Sequence, residues 1–159
     1  MPKIKNLICI PGNAGTEKIA KNIREDISNF EAIYKIIKKQ NVDLVVIGPE
    51  QPLVDGLVDY LNKKKVKVFG PNKFASQLEG SKAFMKNLCK KNNIPTANFG
   101  TFDNLEEASL FINKNRAPIV VKADGLASGK GVFVCNSTDE ALKHTKEILD
   151  DKFESSKQV

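Results

Sequence analysis

The stretch KADGLASGKGV, residues 122–132, combines residue types that suit the binding of an anion. Its lysines carry positive charge, and its glycines allow consecutive backbone amides to turn toward one ligand. This combination favours a phosphate as the ligand. The candidate residues in the stretch are Lys122, Gly125, Ser128, Gly129, Lys130 and Gly131.

The stretch does not fit the P-loop, the commonest phosphate-binding loop. A P-loop has the pattern G-x-x-x-x-G-K-[ST] between a strand and a helix. Here Gly125 and Gly129 are one residue too close, and Gly131 stands where Ser or Thr would bind magnesium. The stretch also joins two apolar, strand-like runs. It therefore favours a glycine flap over nucleotide phosphates, with Lys122 reaching from the preceding strand and Lys130 from the flap. A glycine-rich surface hairpin that binds nothing is the alternative.

In the first half of the chain, apolar strands alternate with amphipathic helices. Such alternation, with turns rich in glycine and proline, predicts parallel βα units and an α/β fold. One helix is expected to be capped by Ser28 and Glu31 at capping-box spacing. The predicted strands are LICI (7–10), DLVVIG (43–48) and VKVFG (66–70), and the predicted helices are SNFEAIYKIIKKQ (28–40) and LVDGLVDYLNKK (53–64).

Three turns follow the predicted strands: PGNAGT (11–16), GPEQP (48–52) and GPNKF (70–74). Ligands of open α/β sheets collect beyond the carboxyl ends of the strands, so the three turns are expected to share one pocket. Taken singly, each turn is better explained as the end of a strand. Asn13, Gly15 and Thr16 are candidates to donate to a phosphate. Glu50 is a candidate to accept hydrogen bonds from sugar hydroxyls or an amine.

The second half predicts a smaller α+β arrangement. A helix is expected from Ser81 to a point before Asn93, and another is expected to be capped by Ser137 and Glu140. Because only DGLASGKG separates two of the strands, they are expected to form an antiparallel hairpin. The remaining predicted elements are the strands NFGTF (98–102), PIVVKAD (118–124) and VFVCN (132–136), and the helices NLEEASLFINKN (104–115) and TDEALKHTKEILDD (138–151).

Composition argues against nucleic acid and membranes as partners. The formal net charge is +6, but only Arg24 and Arg116 supply guanidinium groups among 25 basic residues, and only 7% of residues are aromatic. Nucleic-acid readers favour arginine forks and interleaved aromatic residues. No apolar run reaches the length of a membrane span. The three cysteines lack CxxC spacing, which fits reduced thiols and a cytoplasmic location. The oligomeric state stays open.

Several motifs, in order along the whole chain, resemble one family. They are PGNAGT, IGPEQPLVDGLVD, QLEGSKAFMK, IPTA and KADGLASGKGV. They resemble the phosphoribosylamine-glycine ligases of the ATP-grasp superfamily, in which Ala is typical at the position of Ser128. The resemblance implies an incomplete Rossmann-like parallel-sheet substrate domain over residues 1–80, a connecting helix over 81–95, and a truncated α+β ATP-grasp flap lobe over 96–159.

The resemblance also implies an activity, namely ATP-dependent ligation of glycine to 5-phosphoribosylamine in purine synthesis. ATP, glycine and the ribosylamine are the small-molecule partners that it implies. Carried over by position, Lys82 and Lys122 contact ATP phosphates, and the loop from Gly125 to Gly131 closes over them. The turns PGNAGT and GPEQPL correspond to the side that binds the ribosyl phosphate. In the second turn the residues concerned are Gly48, Glu50, Pro52 and Leu53. No catalytic residue is assigned.

Both ends of the chain differ from the family pattern. The family has a strand and a glycine-rich turn before PGNAGT, and it continues beyond SSKQV into the part that holds the magnesium ligands, the adenine hinge and the glycine site. The chain is therefore expected to be an internal fragment that binds nucleotide weakly at most and makes no product. An unpaired apolar edge is expected at the DLVVIG strand or its neighbour.

Two other functions remain open from the sequence. One is another ATP-grasp carboxylate-amine ligase of purine synthesis, with the same flap and a different acceptor. The other is a basic nucleotide- or RNA-binding module, which steep salt dependence of RNA binding would indicate.

Overall fold

The structure is a computed structural model that describes residues 4–126, 131–152 and 158–159. The chain divides into two compact units, Met1–Ser76 and Gln77–Val159. The predicted boundaries at residues 80, 95 and 96 stay predictions. The described helices are α1 (Phe30–Lys39), α2 (Glu50–Asp55), α3 (Leu57–Lys63), α4 (Lys73–Gly80), α5 (Lys82–Lys91), α6 (Leu105–Asn115) and α7 (Thr138–Glu147). The described strands are β1 (Ile8–Cys9), β2 (Lys21–Asn22), β3 (Val45–Val46), β4 (Val68–Phe69), β5 (Ile119–Lys122) and β6 (Val132–Cys135).

The first unit holds two pairs of parallel strands. β1 pairs with β2 in the register Ile8↔Lys21, and β3 pairs with β4 in the register Val45↔Val68. The predicted α/β fold class is confirmed. Helices α1 and α3 supply most of the apolar core, because their buried residues recur at helical spacing. The buried core residues are Ile33, Ile37, Ile47, Leu57, Val58 and Leu61.

Two local predictions in the first unit are wrong. No element is predicted for Lys21–Asn22, which forms β2; its two polar residues lack the apolar signal of a strand. Helix α1 is capped by Asn29 rather than by Ser28, because the Asn29 side chain accepts a hydrogen bond from Ala32 N at 3.1 Å. The Ser28 amide donates instead to Asp26 Oδ1 at 2.8 Å.

The predicted helix over residues 53–64 is also wrong, since it is divided at Gly56. Gly56 has φ +99°, a left-handed conformation that residues with side chains rarely adopt. Its amide donates to the Pro52 and Leu53 carbonyls, which ends α2. Glu50 therefore begins a short helix of its own, instead of lying in a turn before a long one. Helix α4, which contains the division between the two units, was not predicted either.

Strands β1 and β3 are each paired through one edge. Leu7 O and Cys9 O accept from β2 and the residue after it, and the amides of Val45 and Ile47 donate toward β4. Backbone groups of alternate residues in a strand point to opposite edges, so those of Ile8 and Val46 face away from these partners. Within residues 4–126, 131–152 and 158–159, no third strand pairs with β1 or β3. The expected open edge is present in this described part.

The open edges of β1 and β3 contribute to one apolar groove. The groove has a volume of about 790 Å³ and is lined by residues 4–10, by residues 40–47 and by α1 side chains such as Ile33 and Ile37. Unpaired edges with apolar surroundings are templates for pairing with another chain. The groove therefore favours self-association of the chain.

We expect Val46→Lys to reduce self-association of the chain. The Val46 side chain is 65% exposed on the open-edged strand β3, and a charge there opposes edge-to-edge pairing. Sedimentation velocity over a concentration series measures the effect. Leu110→Lys is the matched control, since Leu110 is 67% exposed but lies on α6. Equal loss of association in both variants would contradict the role of the edge.

The second unit is built on the antiparallel pair β5–β6. Its register runs from Ile119↔Cys135 to Lys122↔Val132, so the predicted hairpin is confirmed. Helices α6 and α7 cover one face. The buried core residues are Ile112, Val121, Ala123, Cys135, Ala141 and Ile148.

The predicted helix starts in the second unit coincide with side-chain caps in the structure. Ser81 Oγ accepts from Phe84 N at 3.0 Å, and Ser137 Oγ accepts from Glu140 N at 3.2 Å. Both predictions are confirmed. A short side-chain acceptor at the N-cap satisfies an amide that has no partner within the helix.

The predicted strand NFGTF is wrong. Residues 98–102 form no regular strand, although Phe102 exchanges two backbone hydrogen bonds with Val159, at 2.8 and 2.9 Å. The Phe102 ring packs against Phe111 of α6, with ring centroids 5.3 Å apart. The apolar Phe102 of this segment therefore packs against a helix instead of belonging to a strand.

Within the described residues, no helix is long and apolar enough to cross a membrane.

We expect Thr145→Val to stabilise the chain. Thr145 is 1% exposed, and its Oγ1 has no hydrogen-bond partner among the described residues. Replacing an unsatisfied buried hydroxyl by a methyl group of similar shape should raise the free energy of unfolding by about 1 kcal/mol. Urea denaturation measures the change. Thr138→Val, at the half-exposed start of the same helix, is the control and should give no such gain.

Candidate functional site

The turn after β1 is held together by its own side chains. Asn13 Oδ1 accepts from Gly15 N at 2.8 Å and from Thr16 N at 3.0 Å. Asn22 Nδ2 donates to Asn13 O at 2.8 Å, and Asn22 Oδ1 lies 2.9 Å from Thr16 Oγ1. The amides that were candidates to bind phosphate thus donate within the turn.

Asn22 contacts this turn, which the sequence did not reveal. It lies on β2 and reaches across to Gly12, where an added Cβ would be 2.2 Å from Asn22 Cγ. Gly12 also has φ +75°, so both space and backbone conformation require glycine there. A polar residue in a short strand gives no signal of such a contact.

The second turn divides its candidate residues between solvent and core. Gly48 and Glu50 are exposed, and Glu50 is the first residue of α2. Pro52 is buried, and Leu53 packs against the core of the first unit. The groove described above is lined by Pro52 but not by Glu50 or by the candidate residues of the first turn. This groove therefore does not gather the predicted phosphate-binding residues.

In the second unit, the ammonium group of Lys82 contacts the start of the glycine loop. Its Nζ donates to the Gly125 carbonyl at 2.9 Å. Lys82 occupies the first position of α5 and Gly125 follows β5, so the contact joins two elements 43 residues apart. An ammonium group has three N–H donors, and this bond uses one of them.

Lys122 lies on the exposed face of the β5–β6 hairpin. It pairs with Val132, and its neighbours on this face are Val120 and Val134. These three valines are 45%, 47% and 70% exposed. The face therefore combines one cation with an apolar surface.

The base of the glycine loop is closed by a backbone hydrogen bond from Ala123 N to Gly131 O at 2.8 Å. The predicted site residues Ser128, Gly129 and Lys130 lie outside the described residues. Gly125 and Gly131 flank them at the two sides of the loop. Among the described residues, no group of three or more His, Cys, Asp or Glu side chains is arranged to hold a metal ion.

Two sequence profiles of one enzyme together cover the chain. The N domain of phosphoribosylglycinamide synthetase matches residues 1–79, and its ATP-grasp (A) domain matches residues 80–159. The chain belongs to the phosphoribosylglycinamide synthetase family. The resemblance read from the motifs is thereby confirmed.

Individual members of the synthetase family are similar to this chain in sequence. Phosphoribosylamine–glycine ligase from Mesorhizobium japonicum is 45% identical over 155 residues, which is 98% of this chain and 36% of that protein. The corresponding ligase from Rhodopirellula baltica is 47% identical over 146 residues, or 88% of this chain and 33% of that protein. The chain spans about a third of the length of the curated relatives it matches.

A solved structure of a family member is also similar. The crystal structure of phosphoribosylamine–glycine ligase from Thermotoga maritima superposes with a TM-score of 0.67 at 34% identity, and the match covers 87% of this chain and 32% of that one.

We expect Asn13→Ala to loosen the first turn of this synthetase-family chain. The change removes the acceptor for the Gly15 and Thr16 amides, and each lost hydrogen bond corresponds to about 1 kcal/mol. Amide hydrogen exchange should therefore accelerate by roughly fivefold at both positions. Asn92→Ala is the control, since the Asn92 side chain donates to the Leu88 carbonyl in the other unit. Unchanged exchange at Gly15 and Thr16 would mean that Asn13 does not hold the turn.

Proposed function

We propose that the protein to which this chain belongs ligates glycine to 5-phosphoribosylamine with ATP, and gives glycinamide ribonucleotide, ADP and phosphate. The glycine carboxylate attacks the terminal phosphorus of ATP, and ADP leaves. The amine then attacks the acyl phosphate carbon, loses a proton and expels phosphate. Membership of the synthetase family and the named relatives support this proposal.

The observation that carries the proposal is the Lys82–Gly125 contact. It supports a nucleotide site at the start of the glycine loop, because the ammonium group keeps two N–H donors for phosphate oxygens. Fixed donors at the position where negative charge develops lower the barrier of phosphoryl transfer. Gly125 and Gly131 belong to the proposed phosphate site together with Ser128, Gly129 and Lys130.

The exposed hairpin face supports the same site. Lys122 supplies a second cation, and the valines beside it offer an apolar surface to the uncharged part of a nucleotide. Ligand sites commonly pair apolar walls with a few charged groups that fix orientation. A reactive acyl phosphate also needs protection from water, which is the proposed role of the loop.

The first unit is proposed to bind the ribosyl phosphate substrate. Its candidate residues are Asn13, Gly15, Thr16, Gly48, Glu50, Pro52 and Leu53. Of the two turns, the second offers exposed groups at Gly48 and Glu50. The first turn would have to exchange internal hydrogen bonds for contacts with phosphate.

Magnesium is implied by the ATP-dependent reaction, but the described residues do not fit it, since they include no suitable cluster of ligands. We therefore assign no step through a metal to these residues. A cytoplasmic location is part of the proposal, and it is supported by the three free cysteines Cys9, Cys89 and Cys135.

We expect Lys82→Met and Lys122→Met each to weaken ATP binding. Methionine keeps an unbranched apolar stem but removes the charge, and hydrogen bonds to charged groups contribute about 1.5–3 kcal/mol. The dissociation constant should rise about 10- to 100-fold. Displacement of a fluorescent ATP analogue from the chain measures it.

Lys90→Met is the matched control, because Lys90 is an exposed lysine of the same helix α5. It should bind ATP as the unchanged chain does. In a protein extended to the length of its relatives, Lys82→Met and Lys122→Met should also slow glycine-dependent ADP release, and Lys130→Met should affect turnover more than binding. Unchanged ATP affinity in both Lys82→Met and Lys122→Met would refute the nucleotide site.

A further inference from the structure

The Asp124 carboxylate joins the glycine loop to the first turn of α5. Asp124 is half-buried and lies two residues after the end of β5. Its Oδ2 accepts from Ser81 Oγ at 2.8 Å, and its Oδ1 accepts from Ala83 N at 3.1 Å. Both carboxylate oxygens are therefore bonded to a segment more than forty residues earlier in the chain.

The N-terminal end of a helix such as α5 is a favourable position for a carboxylate. The amides at a helix start lack partners within the helix and give this end a partial positive charge. Asp124 satisfies the amide of Ala83, while Ser81 Oγ accepts from Phe84 N and donates to Asp124. Hydrogen bonds to a charged acceptor are roughly twice as strong as neutral ones.

Lys82 lies between the two residues that Asp124 holds. Its Nζ donates to the carbonyl of Gly125, the residue after Asp124. Gly125 has φ +90°, so the direction of this carbonyl depends on glycine. Three consecutive residues of the helix start, Ser81, Lys82 and Ala83, thus contact two consecutive residues of the loop start.

We propose that Asp124 is a positioning residue for the Lys82 ammonium group. It fixes the α5 start against the loop start, and so sets where the two remaining N–H donors of Lys82 point. Asp124 touches no substrate in this role, and its effect on ligand passes through Lys82. The functional meaning rests on the proposed nucleotide site, whereas the contact itself does not.

The first experiment needs no nucleotide. In Asp124→Ala, reductive methylation of Lys82 should accelerate about fivefold, and hydrogen exchange of the Ala83 amide about tenfold, because the hydrogen bonds that hold both groups are lost or weakened. Mass spectrometry resolves the lysines, and Lys90 is the internal reference. Asp124→Asn, which keeps one acceptor oxygen, should give an intermediate result.

Asp139→Ala is the matched control, since Asp139 is an exposed carboxylate in the first turn of α7. It should leave both readouts at Lys82 and Ala83 unchanged. If Asp124→Ala does not fold, Ser81→Ala removes one of the two bonds and should accelerate Lys82 methylation as well. Unchanged methylation of Lys82 and unchanged exchange of Ala83 in a folded Asp124 variant would overturn the proposal.

The second experiment is a double-mutant cycle on ATP affinity. Asp124→Ala should weaken ATP binding about tenfold in the unchanged chain, but less than about twofold in a Lys82→Met background, because its effect requires the ammonium group. A merely structural role would give the same loss in both backgrounds and would contradict positioning through Lys82. If the unchanged chain binds no ATP, the nucleotide site fails for this chain, and the methylation and exchange results alone decide the Asp124 contact.

Discussion

Backbone pairing between β5 and β6 is the constraint on which the second unit depends. The antiparallel register turns Val121 and Cys135 into the core and leaves Lys122 on the open face, because successive side chains of a strand point to opposite sides. The bond from Ala123 to Gly131 extends this pairing to the base of the glycine loop. A shift of one residue would bury the Lys122 side chain and expose the core face, so pairing, core and candidate site share a single register.

The first unit is constrained in a different way. Parallel sheets are usually covered on both faces. Here helices α1 and α3 pack over the strands, and each strand has one described partner. The unit keeps a well-packed core around Leu61, which is fully buried. Its first turn is ordered by local side-chain hydrogen bonds rather than by a continuous sheet. An ordered first turn therefore lies within a few residues of the edge of β1 that has no described partner.

The sequence predicted those features that short-range chemistry determines. Ser81 and Ser137 were recognised as helix starts because one side-chain oxygen near an apolar periodic run is a local signal. Asn29 displaced Ser28 as a cap because neighbouring residues offered equivalent oxygens, and spacing alone could not rank them. The loop lysines and glycines are predicted as site residues from their types alone, and that role stays a prediction. The contacts of Asp124 and Asn22 could not be predicted, since they join segments that only the tertiary fold brings together.

The break at Gly56 places the exposed Glu50 and the core leucines on separate helices. Helix α2 presents the exposed Glu50, whereas α3 places Leu57 and Leu61 in the core. Had one continuous helix carried these residues, any rotation that re-aimed Glu50 would also have rotated the core leucines. With a left-handed glycine between them, the two helices need not share one axis, although Pro52 and Leu53 of α2 also pack toward the core. The cost of this freedom is that position 56 itself tolerates little variation, because a side chain there would strain the backbone and meet Lys73 at 3.2 Å.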